Sequence, residues 1–245
     1  MYKHFSGEFF AANRARLRTL FVGTAPIVLS ANGLLQRNSE STFPFRQDST
    51  FWYLTGVNDQ DVILVMDKTK DYLITPALSN YQEVFDGGID QERLQKISGI
   101  ETIYDSKEGW RRLESRVKKS KHVATLSAPP AYVEVFGMYT NPARAALVAK
   151  MKSFNDDLEL LDIRTHIARM RMVKQPGELA ALQEAINITI KTIRSVRKQK
   201  FDYEYELEAA ITGQFRKSGA AGHGFTPIVA SGERTCVLHS SDSSH

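Results

Sequence analysis

The last residues of the chain hold several side chains that could do chemistry. Cys236 and His239 are three positions apart, and a cysteine beside a histidine can form a thiol–imidazole pair that acts as a nucleophile. However, residues 235–238 are predicted to form a strand, in which positions i and i+3 face opposite ways. The two side chains could then not meet, so the pattern favours a buried structural cysteine over a catalytic one.

His239, Asp242 and His245 form the spacing H-x-x-D-x-x-H. On a helix, these three side chains would lie on one side and could hold a metal ion. Four serines separate them and the sequence stops at His245, so ordering this tail around a metal would cost conformational entropy. We therefore predict no metal site among these residues.

Two sets of neighbouring carboxylates could in principle support acid–base catalysis. Asp156 and Asp157 are adjacent in a predicted loop, and Glu204 and Glu208 share one face at the start of a predicted helix. Negative charge is favourable at a helix start, so solvation and the helix dipole explain the glutamates without catalysis. Phosphate-binding glycine loops and the G-x-S-x-G elbow are absent from the sequence.

The first two thirds of the sequence predict an α/β domain with a mixed sheet. A helix is expected to begin at Ser6, and buried strands are expected at residues 26–29, 62–66, 71–75 and 122–126, with another at 158–163. Helical spacing recurs at 90–96, 109–118 and 141–151. Strands that alternate with helices are typical of an α/β domain.

A second domain is predicted from residue 168 onward, so the expected domains are 1–167 and 168–245. It should begin with a helix of about six turns that has Pro176 at its first turn, followed by a helix over 203–217. Residues 226–230 and 235–238 are expected to pair as a hairpin through the turn 231–234. A hairpin buries too little surface to complete a domain, so the second domain looks unfinished.

Composition favours a folded protein in a reducing compartment. The chain has 245 residues, 42% of them hydrophobic, and a single cysteine, so a disulfide framework is impossible. We find no signal peptide and no apolar run long enough to span a membrane, which predicts a cytoplasmic protein. The net charge of +4 is spread over helix faces, so nucleic-acid binding is not expected.

Two stretches of the sequence resemble the aminopeptidase P family. Residues 41–57 (STFPFRQDSTFWYLTGV) resemble the signature of that family's amino-terminal domain. Residues 220–239 (AAGHGFTPIVASGERTCVLH), preceded by R-x-x-K-x-P-x-E from Arg171 to Glu178, resemble the opening of its pita-bread catalytic domain. Members are metallopeptidases that remove an N-terminal residue preceding proline, so the resemblance implies a Xaa-Pro aminopeptidase acting on peptides with proline at the second position.

The resemblance also implies a metal centre and two pocket residues. Family members hold two Mn²⁺ ions with two Asp, one His and two Glu, and hard oxygen ligands suit that ion. In this chain all five ligands are expected to fall beyond His245, which implies a truncated and inactive fragment. His239 matches a histidine that contacts the substrate, and Phe225 matches an aromatic position in the pocket wall. Ser240 stands where the family often has an aromatic residue.

One alternative function and one question of assembly stay open at this point. Pita-bread relatives without metal ligands bind peptides or proteins, so the chain could be a non-catalytic binding module. The resemblance also implies a homo-oligomer formed through the amino-terminal domain. Phe51, Trp52 and Tyr53 could contribute to that contact, but aromatic clusters are more often core, which is the interpretation that we favour.

Overall fold

A mixed β-sheet forms the centre of the first part of the chain. The computed structural model describes residues 5–126, 129 and 132–240, and the chain divides into two units, Met1–Val173 and Lys174–His245. The strands of unit one are β1 (Ile27–Ser30), β2 (Gln36–Asn38), β3 (Ser41–Thr42), β4 (Ile63–Met66), β5 (Asp71–Ile74), β6 (Thr102–Tyr104), β7 (His122–Thr125) and β8 (Glu159–Asp162).

The sheet combines antiparallel and parallel neighbours. Within the described residues its order is β6-β5-β4-β1-β7-β8, and β2 pairs with β3 in a separate small ribbon. Strand β4 runs antiparallel to both β1 and β5, whereas β7 runs parallel to β1 and β8, and β6 runs parallel to β5. The predicted α/β fold with a mixed sheet is confirmed.

Helices cover both faces of this sheet. The helices of unit one are α1 (Gly7–Leu20), α2 (Ser49–Thr55), α3 (Asn80–Asp86), α4 (Gln91–Ser98), α5 (Ser106–Lys118), α6 (Tyr132–Val135), α7 (Ala143–Phe154) and α8 (Arg164–Met172). Strand side chains alternate between faces, so Ile27 and Leu29 join one core cluster with α1, α2, α4 and α8, while Val28 joins a second with α5 and α7.

The first helix begins where its sequence predicts. The hydroxyl of Ser6 accepts a hydrogen bond from the Phe9 amide at 3.4 Å, as an N-cap residue does. The aromatic stretch near residue 52 forms α2, which Asp48 caps by accepting hydrogen bonds from two amides. Phe51 and Tyr53 are buried, which confirms their interpretation as core residues.

An arginine is buried in the middle of unit one. The Arg14 side chain is 2% exposed, and its guanidinium pairs with Asp71, with 2.7 Å between Nε and the carboxylate. It also donates to the carbonyls of Leu54 at 2.8 Å and Ser98 at 2.9 Å. One side chain therefore joins α1, α2, α4 and the start of β5.

Unit two contains the two helices that were expected. They are α9 (Pro176–Val196), with Pro176 at its start, and α10 (Glu204–Lys217). Among the described residues, no helix has the length and apolar content needed to cross a lipid bilayer.

The predicted hairpin after α10 is wrong. Residues 226–230 have no regular secondary structure, and Gly232–Cys236 form a 3₁₀ helix. Amides that a hairpin would use bond locally instead: Arg234 N–H donates to the Ser231 carbonyl at 3.2 Å, and Val237 N–H donates to that of Arg234 at 3.0 Å. Gly232 has a positive φ of 54°, which bends the chain away from an extended path.

Helix α9 presents an apolar stripe to solvent. The stripe consists of large aliphatic side chains at three- and four-residue steps that are 42% to 55% exposed, namely Leu179, Leu182, Ile186, Ile190 and Ile193. We expect this stripe to bind anilinonaphthalene sulfonate, because the dye fluoresces on contiguous apolar surface. The double substitution Leu182→Lys and Ile186→Lys should reduce that fluorescence by about half or more.

The control adds the same two charges to α9 outside the stripe. Gln183 and Asn187 are exposed and bond to each other at 3.0 Å, so changing both to lysine leaves the stripe intact. Equal dye fluorescence in the two double variants would contradict the assignment of the dye site to the stripe.

Candidate functional site

The two residues expected to line a pocket lie in unit two, beyond α10. His239 is exposed, and Phe225 is 77% exposed. Both belong to a stretch without strands, in which Val229 is buried and anchors the chain between them. Their joint role in a pocket stays a prediction.

A second histidine of the same stretch is held by α10. His223 Nε2 lies 3.0 Å from the hydroxyl of Thr212, and its ring centroid is 5.2 Å from that of Phe215. Sequence reasoning missed this residue, because no ligand or acid–base partner stands at a recognisable spacing from it. Thr212 precedes it by 11 residues and Phe215 by 8 residues, and the fold alone brings the three side chains together.

Glu204 differs from its predicted role. It is the first residue of α10 and is only 5% exposed, so the interpretation as part of a solvated helix face is wrong for this glutamate. Its Oε1 accepts hydrogen bonds from the Ser231 amide at 2.6 Å and the Ser231 hydroxyl at 2.8 Å. The carboxylate is buried because it satisfies donors of the turn that precedes the 3₁₀ helix.

Cys236 was expected to be buried, and this prediction is wrong. The thiol is exposed at the end of the 3₁₀ helix. The expectation depended on a strand over residues 235–238, and without the strand this residue has no inner face to occupy. Cys236 therefore has no structural role in a core.

The other carboxylates show no catalytic arrangement. Asp156 and Asp157 are exposed in the turn before β8, where the Asp157 amide donates to the Asn155 side chain at 3.1 Å. Asp242 and His245 lie outside the described residues. In the part of the chain that the structure describes, no group of three or more His, Cys, Asp or Glu side chains could hold a metal ion.

A cavity in unit one is unrelated to these candidates. It has a volume of about 470 Å³ and is lined by Asp59, Arg93 and apolar side chains that include Phe45. None of the residues that line it was predicted to act on a substrate. Cavity volume alone therefore does not identify the candidate site. The site is defined instead by the side chains that could bind or act on a ligand.

Comparisons with known proteins agree with the order of the two units. The model of the "Aminopeptidase P, N-terminal domain" family matches residues 10–125, and that of "Metallopeptidase family M24" matches residues 180–245. Both units of the chain therefore resemble the aminopeptidase P family. The signature at residues 41–57 lies in the first match, and His239 and Phe225 lie in the second.

Individual relatives extend well beyond the length of this chain. The Xaa-Pro aminopeptidase of Haemophilus influenzae is 30% identical over 241 residues, which cover 95% of this chain and 53% of that relative. Aminopeptidase P from E. coli in its low-pH form has a TM-score of 0.80 at 25% identity, and its complex with the inhibitor Pro-Leu has 0.79 at 24%. Both alignments cover 98% of this chain and 56% of the solved chain. The chain spans about half the length of the curated relatives it matches.

Proposed function

We propose that this chain is part of a Xaa-Pro aminopeptidase, which hydrolyses the bond between an N-terminal residue and a following proline. One observation carries the proposal: the amino-terminal domain of aminopeptidase P and the start of an M24 metallopeptidase domain match one chain in the family's order. A relative that aligns with 95% of the chain is named for this activity.

The proposed division of labour follows the domains. Residues 1–167 serve as the amino-terminal domain, which supports a homo-oligomer, and residues 168–245 begin the catalytic domain in the cytoplasm. His239 contacts the peptide, and Phe225 forms part of the wall around its proline. Their exposure is compatible with contact to a ligand, since neither side chain is buried in the core of unit two.

The metal belongs to the family's chemistry and has no fitting site in the described residues. We propose two Mn²⁺ ions for the whole enzyme, as the resemblance implies. The described residues of this chain offer no cluster of three ligands, so they do not fit such a centre. We propose that the described residues of this chain bind and orient the peptide.

A second candidate function is a non-catalytic module that binds peptides or proteins. The same lack of a ligand cluster in the described residues favours it. The two candidates differ in proline selectivity: a peptidase segment should prefer a proline-containing peptide, whereas a general binding module has no reason to.

The experiment combines an activity assay with a binding assay on the whole chain. We expect no Mn²⁺-dependent release of the N-terminal residue from an X-Pro peptide, because the ligand cluster is missing from the described residues. Pro-Leu, an inhibitor of the E. coli enzyme, should shift the imidazole proton resonances of His239, and Leu-Leu at the same concentration should not.

Three results would change these conclusions. Metal-dependent turnover would contradict the placement of the ligands, and Asp242 and His245 would have to be reconsidered. Equal shifts with the two dipeptides would favour the binding module. A His239 resonance that responds to neither dipeptide would contradict the proposed contact.

A further inference from the structure

Strand pairing does not hold the segment that carries His239 in the described part of the chain. Residues 231–240 contain a 3₁₀ helix and short local turns, and they pair with no strand in the described part of the chain. Their backbone–backbone hydrogen bonds are internal, such as the one from Ser240 N–H to the Val237 carbonyl at 3.2 Å. Local bonds fix the shape of a segment but not its place on the protein.

Glu204 makes the contacts that fix the position of segment 231–240 on the protein. Its side chain, 3% exposed, accepts two hydrogen bonds from Ser231 at 2.6 and 2.8 Å. Both bonds connect segment 231–240 to the first residue of α10. Bonds to an ionised, buried acceptor are among the stronger ones in proteins.

Arg234 links Glu204 to the residue that follows His239. Its Nη1 lies 3.6 Å from Glu204 Oε2, and its Nη2 donates to the hydroxyl of Ser240 at 3.1 Å. Ser240 is buried and directly follows His239 in sequence. Through Ser231 and Arg234, one carboxylate thus secures both ends of the segment.

We infer that Glu204 is a positioning residue for His239. The catalytic significance of this role rests on the proposed function, whereas the ordering of the segment does not. The negative charge is essential, because a glutamine has one acceptor oxygen, and its amide group would meet either the Ser231 donors or the Arg234 guanidinium. Glu204 therefore fixes the position of this segment, a role that strand pairing has in the sheet of unit one.

The test uses the native cysteine as a reporter. Cys236 is the one cysteine of the chain and is exposed, so a nitroxide label can be attached within the segment without further substitutions. In electron paramagnetic resonance spectra, Glu204→Gln should raise the mobile fraction of the label about threefold or more. Glu208→Gln removes the same charge one turn later on α10 and should leave the spectrum unchanged.

Thermal melting followed by circular dichroism separates this effect from unfolding. If Glu204→Gln fails to fold, Ser231→Ala replaces it, since this exposed residue loses one hydroxyl bond and keeps its amide. A folded Glu204→Gln protein, or failing that Ser231→Ala, with the wild-type spectrum would overturn the inference.

A second measurement links position to binding. Glu204→Gln should abolish the shift that Pro-Leu induces at His239, and Glu208→Gln should keep it. If the label becomes mobile while the wild-type protein itself ignores Pro-Leu, the positioning role stands and the proposed function fails. If the label becomes mobile and the Pro-Leu shift persists, Glu204 does not position His239 for the peptide.

Discussion

Arg14→Ala is expected to lower the free energy of unfolding of unit one by about 3 to 5 kcal/mol, which is a large part of the stability of an ordinary domain. The guanidinium makes one ion pair and donates to carbonyls from two helices. Its removal leaves those buried acceptors unsatisfied, and Asp71 keeps only its ion pair with Arg18 among the ion pairs of the described residues. Each buried acceptor that loses its donor costs about 1 to 3 kcal/mol.

The burial of Arg14 also affects the pKa of its guanidinium. Burial lowers the pKa of this guanidinium, and the neighbouring Asp71 carboxylate opposes the shift. Arginine begins so far above neutral pH that the group stays charged, so the ion pair persists over the physiological range. We therefore expect the loss in Arg14→Ala to be nearly independent of pH between about 6 and 8.

Urea unfolding followed by circular dichroism measures this loss. Arg111→Ala is the control, since that side chain pairs with Glu108 on the exposed surface of α5 and its removal should leave the unfolding midpoint unchanged. Arg18→Ala should give a smaller loss than Arg14→Ala, because Arg18 contacts Asp71 from a partly exposed position. Equal midpoints for the Arg14 and Arg111 variants would show that the buried network does not stabilise the unit.

Sequence patterns predicted those helices and strands that are specified by their own residues. The apolar period of α9 and the proline at its start specify a helix by themselves, as do the short runs of β-branched and aliphatic residues at β1 and β4. In α1, Asn13 and Arg14 are both buried, and no sequence pattern indicated the burial of Arg14. An arginine is usually exposed, and only carbonyls that converge from distant segments make its burial favourable.

Features that depend on distant partners could not be predicted in this way. Residues 235–238 have strand-forming side chains, yet a strand needs a neighbour, and the described chain provides none there. Glu204 followed the rule for acidic residues at a helix start, and no pattern showed that the Ser231 turn would cover it. The candidate site was reached through the family resemblance, because its residues have no spacing that specifies a pocket.

Gly56→Ala is expected to destabilise unit one by about 2 to 5 kcal/mol, from two separate causes. Gly56 ends α2 with φ at 68°, a left-handed conformation that is unfavourable for a residue with a Cβ atom. In addition, a Cβ at this position would lie 2.2 Å from Cε2 of Phe10, well inside van der Waals contact. Phe10 is 1% exposed and packs edge-on against Trp52, so its ring has little room to move.

A matched glycine separates the two causes. Gly137 also has a positive φ, 58°, but no atom lies within 4 Å of an added Cβ, so Gly137→Ala should show the conformational cost alone. The difference between the two variants in urea unfolding then measures the close approach of Phe10. Phe10→Leu in the Gly56→Ala background should recover part of that difference, since a smaller side chain relieves the overlap.

Equal losses at Gly56 and Gly137 would contradict the role of Phe10. The expected inequality would give a physical reason for the last part of the signature at residues 41–57. There the aromatic residues of α2 and the glycine that follows them form one packed unit with α1. The stretch that resembles the family signature would then be required for the stability of unit one, independently of any contact with substrate.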